Sequence, residues 1–316
     1  PHFSADPVHP GPDALRHHRH GCLAGRPRHP KTGVSVCSGP GFYPGALAEP
    51  LSCVVGAMHA SYHTRPGSYQ HVMGIAPGGR MAFLGGAGPM GLTAINYTLF
   101  RENSRPSLLV VTDIDHHRLA RTSALFPPEE AARRGLHLHY LDTSSLKDPV
   151  LKLRELSGGK GFDDVFVFAP ESALIEQADD ILAAGGCLNC FAGPADPDFK
   201  ARINFYNAHY QSTHIVGTSG GNAGDMKESL KCFENGLDTA GLITHIGGID
   251  EVIHTTLNLP AISGGKKLIY MHRNLPLTAL SEFEEKGKSN PLFAQLDLLS
   301  RKNKGLWSLE AEEFLL

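Results

Sequence analysis

The chain has 316 residues, of which 41% are hydrophobic, and its 29 Lys and Arg residues nearly balance 32 Asp and Glu residues, giving a formal net charge of −3. This balance is typical of a globular protein of enzyme size and argues against a nucleic-acid-binding or membrane-surface protein. No apolar run approaches the ~18 residues of a membrane span and no signal-peptide pattern opens the chain, so we expect a cytoplasmic location.

Residues 1–42 differ in kind from the rest of the chain. They are rich in proline, histidine and arginine, as in His17-His18-Arg19-His20, and they show no sustained apolar period. A histidine-rich tract can bind a metal ion or, when protonated, an anionic partner. We favour a disordered arm or a sequence not under folding constraint, and we assign no fold to this segment.

A helix with one buried face is predicted over residues 49–60. Its apolar residues Leu51, Val54, Val55 and Met58 have the i, i+3, i+4, i+7 spacing of such a face. We expect this helix to connect into the domain that follows.

From Pro77 onward, short apolar runs alternate with helical patterns, which predicts an α/β domain with a doubly wound parallel sheet. The predicted strands are Arg80–Leu84, Leu108–Thr112, Leu136–Tyr140, Asp164–Ala169, Cys187–Phe191 and His214–Gly217. Crossover helices are predicted after the Asp148-Pro149 start signal, at Glu171–Leu182 and at Asp225–Phe233. Six strands suit a complete Rossmann sheet.

A glycine array follows the first of these strands, spaced Gly86-x-Gly88-x-x-Gly91, with Pro89 and Met90 opening the next helix. The first glycine permits a tight turn, the second lets the backbone approach a pyrophosphate, and the third lets the helix pack closely on its strand. The helix N-terminus then supplies free N–H groups and a positive dipole end. The array therefore predicts a dinucleotide-binding site.

Asp113 ends the second strand, at the position where a carboxylate can accept hydrogen bonds from the adenosine ribose. It would also repel a 2′-phosphate, so we expect NAD(H) rather than NADP(H). Arg118 keeps NADP(H) open, because a guanidinium nearby can accommodate that phosphate. The alternative is that Asp113 only caps the next helix.

The loops after the later strands should face the cofactor, because ligands of open α/β sheets bind outside the carboxyl ends of the strands. This places Ala169, Gly193, Thr218 and Ser219 near the nicotinamide end.

Cys187 and Cys190 are predicted to lie in one strand with side chains on opposite faces, which argues against a redox or zinc pair. We expect all six cysteines to be reduced.

Two further segments complete the chain. Residues 242–270 read as a loop, a helix and a strand outside the six-strand unit, and we expect them to form part of a second lobe. The last forty residues are amphipathic and acidic, and helices packed on the core or on a second subunit would explain them.

Taken together, several motifs resemble the medium-chain dehydrogenase/reductase superfamily, and within it the zinc-dependent polyol and sugar-phosphate branch. They are Ala48-Glu-Pro-Leu-Ser-Cys-Val-Val, Pro77-Gly-Gly-Arg, Gly86-Ala-Gly-Pro-Met-Gly, Thr112-Asp-Ile-Asp and Leu242-Ile-Thr-His. The resemblance implies a Rossmann domain beside a GroES-like catalytic domain, with hydride transfer between a carbinol carbon and the nicotinamide. It also implies a ketose phosphate and its polyol phosphate as substrates, and a homodimer or homotetramer.

By the same resemblance, Glu49 matches a carboxylate that ligates or approaches a catalytic zinc ion, although it could simply occupy a favourable helix N-terminus. The resemblance also implies how the chain divides into domains. Residues 43–76 are a remnant of the catalytic domain together with the connecting helix. Residues 77–241 are then the NAD-binding domain, and residues 242–316 return to the catalytic lobe and form the tail.

The chain departs from the family before Glu49, where its zinc-binding Cys, its Gly-His-Glu segment and its four-cysteine lobe are not found. His29 and Cys37 have the wrong spacing for this role. We therefore expect a truncated or out-of-frame N-terminal catalytic domain, which leaves zinc binding in doubt. Two alternatives to an active zinc enzyme remain: a dinucleotide-binding module without catalysis, and a metal-independent reductase of the same superfamily.

Overall fold

The computed structural model describes residues 41–65, 67–101 and 104–316. The expectations for the N-terminal segment, including the histidines at 17, 18 and 20 and Cys37, lie outside the described residues.

The largest element is a six-stranded, fully parallel sheet in the order β5-β4-β3-β6-β7-β8. Its strands are β3 (Arg80–Leu84), β4 (Leu108–Asp113), β5 (His137–Asp142), β6 (Phe162–Val167), β7 (Leu182–Cys190) and β8 (His214–Gly217). The chain winds outward from β3 to β5 and then returns to β6 on the other side of β3. This order is that of the Rossmann fold, with its switch point between β3 and β6, so the predicted fold class is confirmed.

Helices cover both faces of this sheet. Alternate residues of β3 belong to two separate hydrophobic clusters, with Met81 and Phe83 in one and Ala82 and Leu84 in the other. Strands buried on both faces read as continuous apolar runs, which is why the sequence shows no alternation here. The helices up to the end of this unit are α1 (Phe42–Ala46), α2 (Ala48–Ala60), α3 (Pro89–Phe100), α4 (His116–Leu125), α5 (Pro128–Arg133), α6 (Pro149–Leu156), α7 (Ser172–Ile181), α8 (Phe205–Tyr210) and α9 (Ala223–Glu234).

Two small sheets and a helical tail surround the large sheet. A hairpin of β1 (Tyr62–Thr64) and β2 (His71–Met73) follows α2, and β9 (Ile243–Gly248) pairs in parallel with β10 (Lys266–Tyr270) and antiparallel with β11 (Thr278–Ala279). The remaining helices are α10 (Val252–Leu257), α11 (Phe283–Gly287), α12 (Pro291–Lys302) and α13 (Leu309–Leu315). Trp307 and Phe283 are fully buried in the cluster that also contains α2 and α3, which confirms that the tail packs on the core.

Four strands have bounds that differ from the predicted ones: β4 and β5 end one and two residues later, and β6 and β7 differ as follows. β7 begins at Leu182, five residues before the predicted start at Cys187, and β6 ends at Val167 rather than Ala169. The Gly185-Gly186 pair reads as a turn in the sequence, yet it is a register irregularity inside the strand, with φ of 73° at Gly185. Within β7, Cys187 is buried, Cys190 is partly exposed, and both thiols are free.

In the described part of the chain, no helix is long and apolar enough to cross a membrane.

Candidate cofactor-binding site

The glycine turn joins β3 to α3 at the carboxyl edge of the sheet. The Gly86 amide donates to the Thr112 carbonyl at 2.8 Å, which ties the turn to the neighbouring strand. A Cβ at Gly91 would lie 2.0 Å from the Gly86 carbonyl oxygen, so the helix contacts the turn backbone directly. Gly86 and Gly91 are therefore required by packing within the protein.

Gly88 is different, because no packing contact of the described residues requires it. A Cβ at this position would meet no atom of those residues within 4 Å, and its φ of −80° is open to any residue. A glycine that leaves open space above a turn suits the close approach of a ligand to the backbone.

The N-terminus of α3 is free to bind an anion. Gly88 is the N-cap, and within the described part of the chain no side-chain hydrogen bond caps the first turn of the helix. Pro89 lacks an N–H group, so the amides of Met90 and Gly91 remain without a capping side chain. Free N–H groups and the positive end of a 12-residue helix favour a phosphate at this point.

Asp113 lies beside this turn, where its side chain is 8% exposed. One carboxylate oxygen accepts from the Ala87 amide at 3.1 Å, and the other accepts from the amides of Ile114 and Asp115. The first oxygen keeps a lone pair that a ribose hydroxyl can use. The alternative role as a helix cap is wrong, because the residue that caps α4 is Asp115, whose carboxylate accepts from the amides of His117 and Arg118.

Arg118 also lies at the glycine turn. A cavity of about 210 Å³ brings it together with Ala87, Gly88 and Pro89. Its guanidinium Nε is 3.3 Å from the Asp115 carboxylate, which balances its charge in part. The structure therefore keeps Arg118 within the region that the sequence assigned to the adenosine end.

The loops predicted to face the nicotinamide follow β6, β7 and β8 at the same edge of the sheet. Ala169 packs directly on the turn, since a Cβ at Gly85 would lie 3.2 Å from its methyl group. Gly193 lies in the loop after β7, and a Cβ there would meet nothing within 4 Å. Thr218 and Ser219 follow β8, and the loop that they begin then approaches helix α2 closely.

That approach joins the edge of the sheet to the helix that carries Glu49. A Cβ at Gly221 would lie 2.4 Å from the Ser52 carbonyl oxygen, so loop and helix are in backbone contact. Glu49 itself is exposed in the first turn of α2, and its Oε1 is 3.5 Å from the Cys53 Sγ. Burial, followed by the charge of Glu49, raises the pKa of the Cys53 thiol.

These two side chains do not make a zinc site by themselves. A catalytic zinc ion takes three protein ligands, and a thiol must lose its proton to become one. Across residues 41–65, 67–101 and 104–316, no group of three or more His, Cys, Asp and Glu side chains could hold a metal ion. The described residues therefore do not fit a catalytic zinc ion.

Two lysines near α3 were missed by the sequence reasoning. A cavity of about 570 Å³ brings Lys266 and Lys267 together with Pro89 and Met90. Lys267 donates to the backbone carbonyls of residues 262, 263 and 265, and burial lowers its pKa, so it shapes this loop. Lys266 is exposed and can neutralise an anion bound at the helix N-terminus. The Gly264-Gly265 turn just before a strand was the signal available.

A larger cavity of about 800 Å³ lies elsewhere, at the other end of α3, among Asn96, Arg105, Arg134 and Asp238. Arg105 and Arg134 both donate to the Leu99 carbonyl there, so they cap the helix C-terminus. We therefore place the site at the glycine turn and not in the larger cavity.

Several known proteins are similar to this chain. The family model of the zinc-binding dehydrogenases matches residues 108–235. An uncharacterized protein of Escherichia coli strain K12, YggP, is 51% identical over 87% of the chain and 65% of its own length. A mannitol-1-phosphate 5-dehydrogenase of Aliivibrio fischeri is 49% identical over 86% of the chain and 64% of its own length. An L-sorbose 1-phosphate reductase of Klebsiella pneumoniae is 47% identical over 87% of the chain and 64% of its own length.

The chain therefore spans slightly less than two thirds of the length of these relatives. Among solved structures, the 2R,3R-butanediol dehydrogenase of Bacillus subtilis aligns with a TM-score of 0.54 at 18% identity, over 76% of this chain and 59% of that one. This likeness supports the fold.

Proposed function

We propose that this chain, of which residues 108–235 match the zinc-binding dehydrogenase family, is the NAD(H)-binding part of a polyol-phosphate oxidoreductase. The reaction would interconvert a ketose phosphate and its polyol phosphate. The family match agrees with the resemblance to zinc-type medium-chain dehydrogenases. The substrate class is supported by two relatives, which are named for mannitol 1-phosphate and L-sorbose 1-phosphate.

The open space above Gly88 carries the proposal, because the backbone is accessible to a ligand there and no packing contact of the described residues requires a glycine. The amides of Met90 and Gly91 would bind the pyrophosphate, with Lys266 as a counter-charge. Asp113 would accept a hydrogen bond from the adenosine ribose, which favours NAD(H) over NADP(H). When bound, the nicotinamide supplies or accepts the hydride.

Around the nicotinamide, the chain's contribution would be shape rather than proton transfer. Ala169 and Gly193 bring small side chains to the carboxyl edge, which leaves room for a flat ring. Thr218 and Ser219 offer hydroxyl groups and backbone amides that can fix its orientation. We derive no zinc-dependent step, because the described residues do not form a zinc site.

A titration with NADH tests the proposal. Gly88→Val should abolish binding, since its branched side chain would occupy the space of the pyrophosphate. Ala132→Val, at an exposed position of α5, adds a comparable side chain elsewhere and should bind NADH like the parent. Tight NADH binding by a folded Gly88→Val variant would refute the cofactor site.

The substrate needs a separate assay, because cofactor binding can succeed where turnover fails. NADH oxidation should be followed with L-sorbose 1-phosphate and with fructose 6-phosphate, each against its unphosphorylated sugar. Binding without turnover would favour the dinucleotide-binding module, and turnover unaffected by chelators would favour a metal-independent reductase.

We also propose association through the sheet edge. β8 is an edge strand, and its Ile215 is 49% exposed, so its free backbone groups and apolar side chain can pair with a second copy. Light scattering should report a dimer or tetramer that Ile215→Lys weakens. The division at residues 43–76, 77–241 and 242–316 stays a prediction, as does the cytoplasmic location.

A further inference from the structure

One buried carboxylate of the large sheet contacts both sides of the β1–β2 hairpin. Asp164 lies on β6 and is 1% exposed. Its Oδ1 is 3.2 Å from Nε2 of His63 on β1, and its Oδ2 accepts from the Ala76 amide, just after β2, at 2.8 Å. Strand β1 and the segment just after β2 are therefore bound to different oxygens of the same side chain.

A group of histidines surrounds this anchor. Asp164, Cys187 and His214 are register neighbours on β6, β7 and β8, so their side chains lie on one face of the sheet. The Tyr62 ring of the hairpin packs between two imidazoles, with centroid distances of 4.4 Å to His71 and 4.5 Å to His214.

We propose that the β1–β2 hairpin is a pH-responsive latch, closed when His63 carries a proton and His214 does not. The hairpin is the covalent link between α2, which carries Glu49, and β3, which leads to the glycine turn. Opening the latch would loosen that link, and this effect does not depend on the enzymatic reaction.

His63 accounts for the loss of closure at high pH, which we call the alkaline limb of the pH profile. Its Nδ1 is 3.1 Å from the Gly185 carbonyl oxygen and its Nε2 faces Asp164, so both ring nitrogens meet acceptors. Only the imidazolium can donate to both. Burial opposes the charge, but the hydrogen bond and charge of Asp164 prevail and raise the pKa of His63 above its ordinary 6.5. Its contribution is therefore present below pH 6.5 and lost as the pH rises through the higher folded value.

His214 accounts for the loss of closure at low pH, which we call the acid limb of the pH profile. Its Nε2 is buried without a hydrogen-bond partner among the described residues. Burial, and then the neighbouring His63 and His71, lower its pKa. The neutral ring is thus favoured in the closed state, and closure weakens as the pH falls through this lower value and a second cation forms beside His63.

The Cys187 thiol does not supply either limb. Burial raises the pKa of Cys187 to about 11, so its thiol stays neutral over this range. Asp163 adds to the negative charge near His63 and is itself paired with Arg80 at 3.1 Å. The ring of His71 faces Tyr62 from the hairpin's exposed side.

Hydrogen exchange of the full chain between pH 5 and 9, corrected for intrinsic rates, tests the latch. Protection of the hairpin amides should pass through a maximum and fall by about tenfold toward each end, while the central strands stay protected. That factor corresponds to losing one charge-assisted hydrogen bond.

Asp164→Asn is nearly isosteric and can still accept from Ala76, and it should remove the alkaline limb. His63→Gln serves the same purpose if that variant fails to fold. His214→Gln should remove the acid limb, and His139→Gln, exposed on β5, should leave both limbs unchanged. Flat protection in the parent, or limbs that persist in these variants, would overturn the proposal.

Discussion

Glu312 offers the sharpest test of how the two ends of the described chain are held together. This residue of α13 is 2% exposed, and its carboxylate accepts from the amides of Phe42 and Tyr43 at 2.7 and 3.0 Å. It also accepts from the Tyr270 hydroxyl at 2.6 Å, which in turn accepts from Trp307 at 2.8 Å. One side chain thus supplies the missing acceptors at the start of α1 and anchors the tail.

Glu312→Ala would leave three donors without their acceptor. An unsatisfied buried donor costs about 1–3 kcal/mol, and the Phe42 amide is only partly buried, so water can replace one bond. We therefore expect a loss of about 3–5 kcal/mol, which is also the range for breaking a buried charged contact. Glu312→Gln keeps one accepting oxygen but turns an NH₂ group toward a donor, so its loss should be smaller.

Urea unfolding followed by circular dichroism measures this difference. Glu313→Ala lies next along the same helix on its exposed side, and it should change the free energy of unfolding by less than ~0.5 kcal/mol. Equal midpoints for the Glu312→Ala and Glu313→Ala variants would refute the reasoning.

A pH series of the same experiment carries further information. Burial raises the pKa of Glu312 above its ordinary value of 4.5, so the folded state binds its proton more tightly than the unfolded state does. Stability should therefore fall as the pH rises from about 4.5 through the folded pKa. That slope should be absent from Glu312→Gln.

Three other predictions concern the cofactor site. The parent should bind NADH more tightly than NADPH in calorimetric titration. Asp113→Asn should reduce the ratio of the two affinities by about tenfold, which corresponds to the loss of one charged hydrogen bond. Equal affinities of the parent for the two cofactors would refute the assignment of Asp113 to the ribose. Purified protein should contain substoichiometric zinc by metal analysis, and one full equivalent would mean that ligands outside the described residues complete a site with Glu49. Gly91→Ala should cost about 1–3 kcal/mol of stability, because its methyl group would overlap the Gly86 carbonyl, and an unchanged melting curve would contradict this.

Most of the fold was predictable, because its signals are local. Apolar runs between helix caps predicted all six strands of the large sheet, and β3 and β8 have the predicted bounds. β7 departs most from its prediction, since a Gly-Gly pair reads as a turn unless the neighbouring strand is known. A Cβ at Gly186 would lie 2.9 Å from the Phe162 carbonyl oxygen, which is a contact with β6 that no local pattern encodes.

The candidate site was predictable only where its residues adjoin the glycine array. The position of Asp113 beside the turn could be predicted because Asp113 ends the next strand, at a spacing that the fold imposes, and its contact with a ribose stays a prediction. Lys266 could not, because the chain returns to the N-terminus of α3 more than 170 residues after leaving it, and nothing local marks that return. The same holds for Asp164, which reads as an ordinary strand residue until the hairpin is packed against it.

The three glycines of the array carry different information about fold and function. Gly86 and Gly91 are required by contacts inside the protein, so any tight strand-to-helix turn would select them. Gly88 has open space above it among the described residues and an ordinary backbone conformation, so no packing contact of those residues requires a glycine there, although glycine also suits an N-cap. The open space agrees with the proposal that a ligand approaches the turn beside the amides of Met90 and Gly91. The pyrophosphate of a dinucleotide is the anionic, backbone-contacting group that we propose for this position.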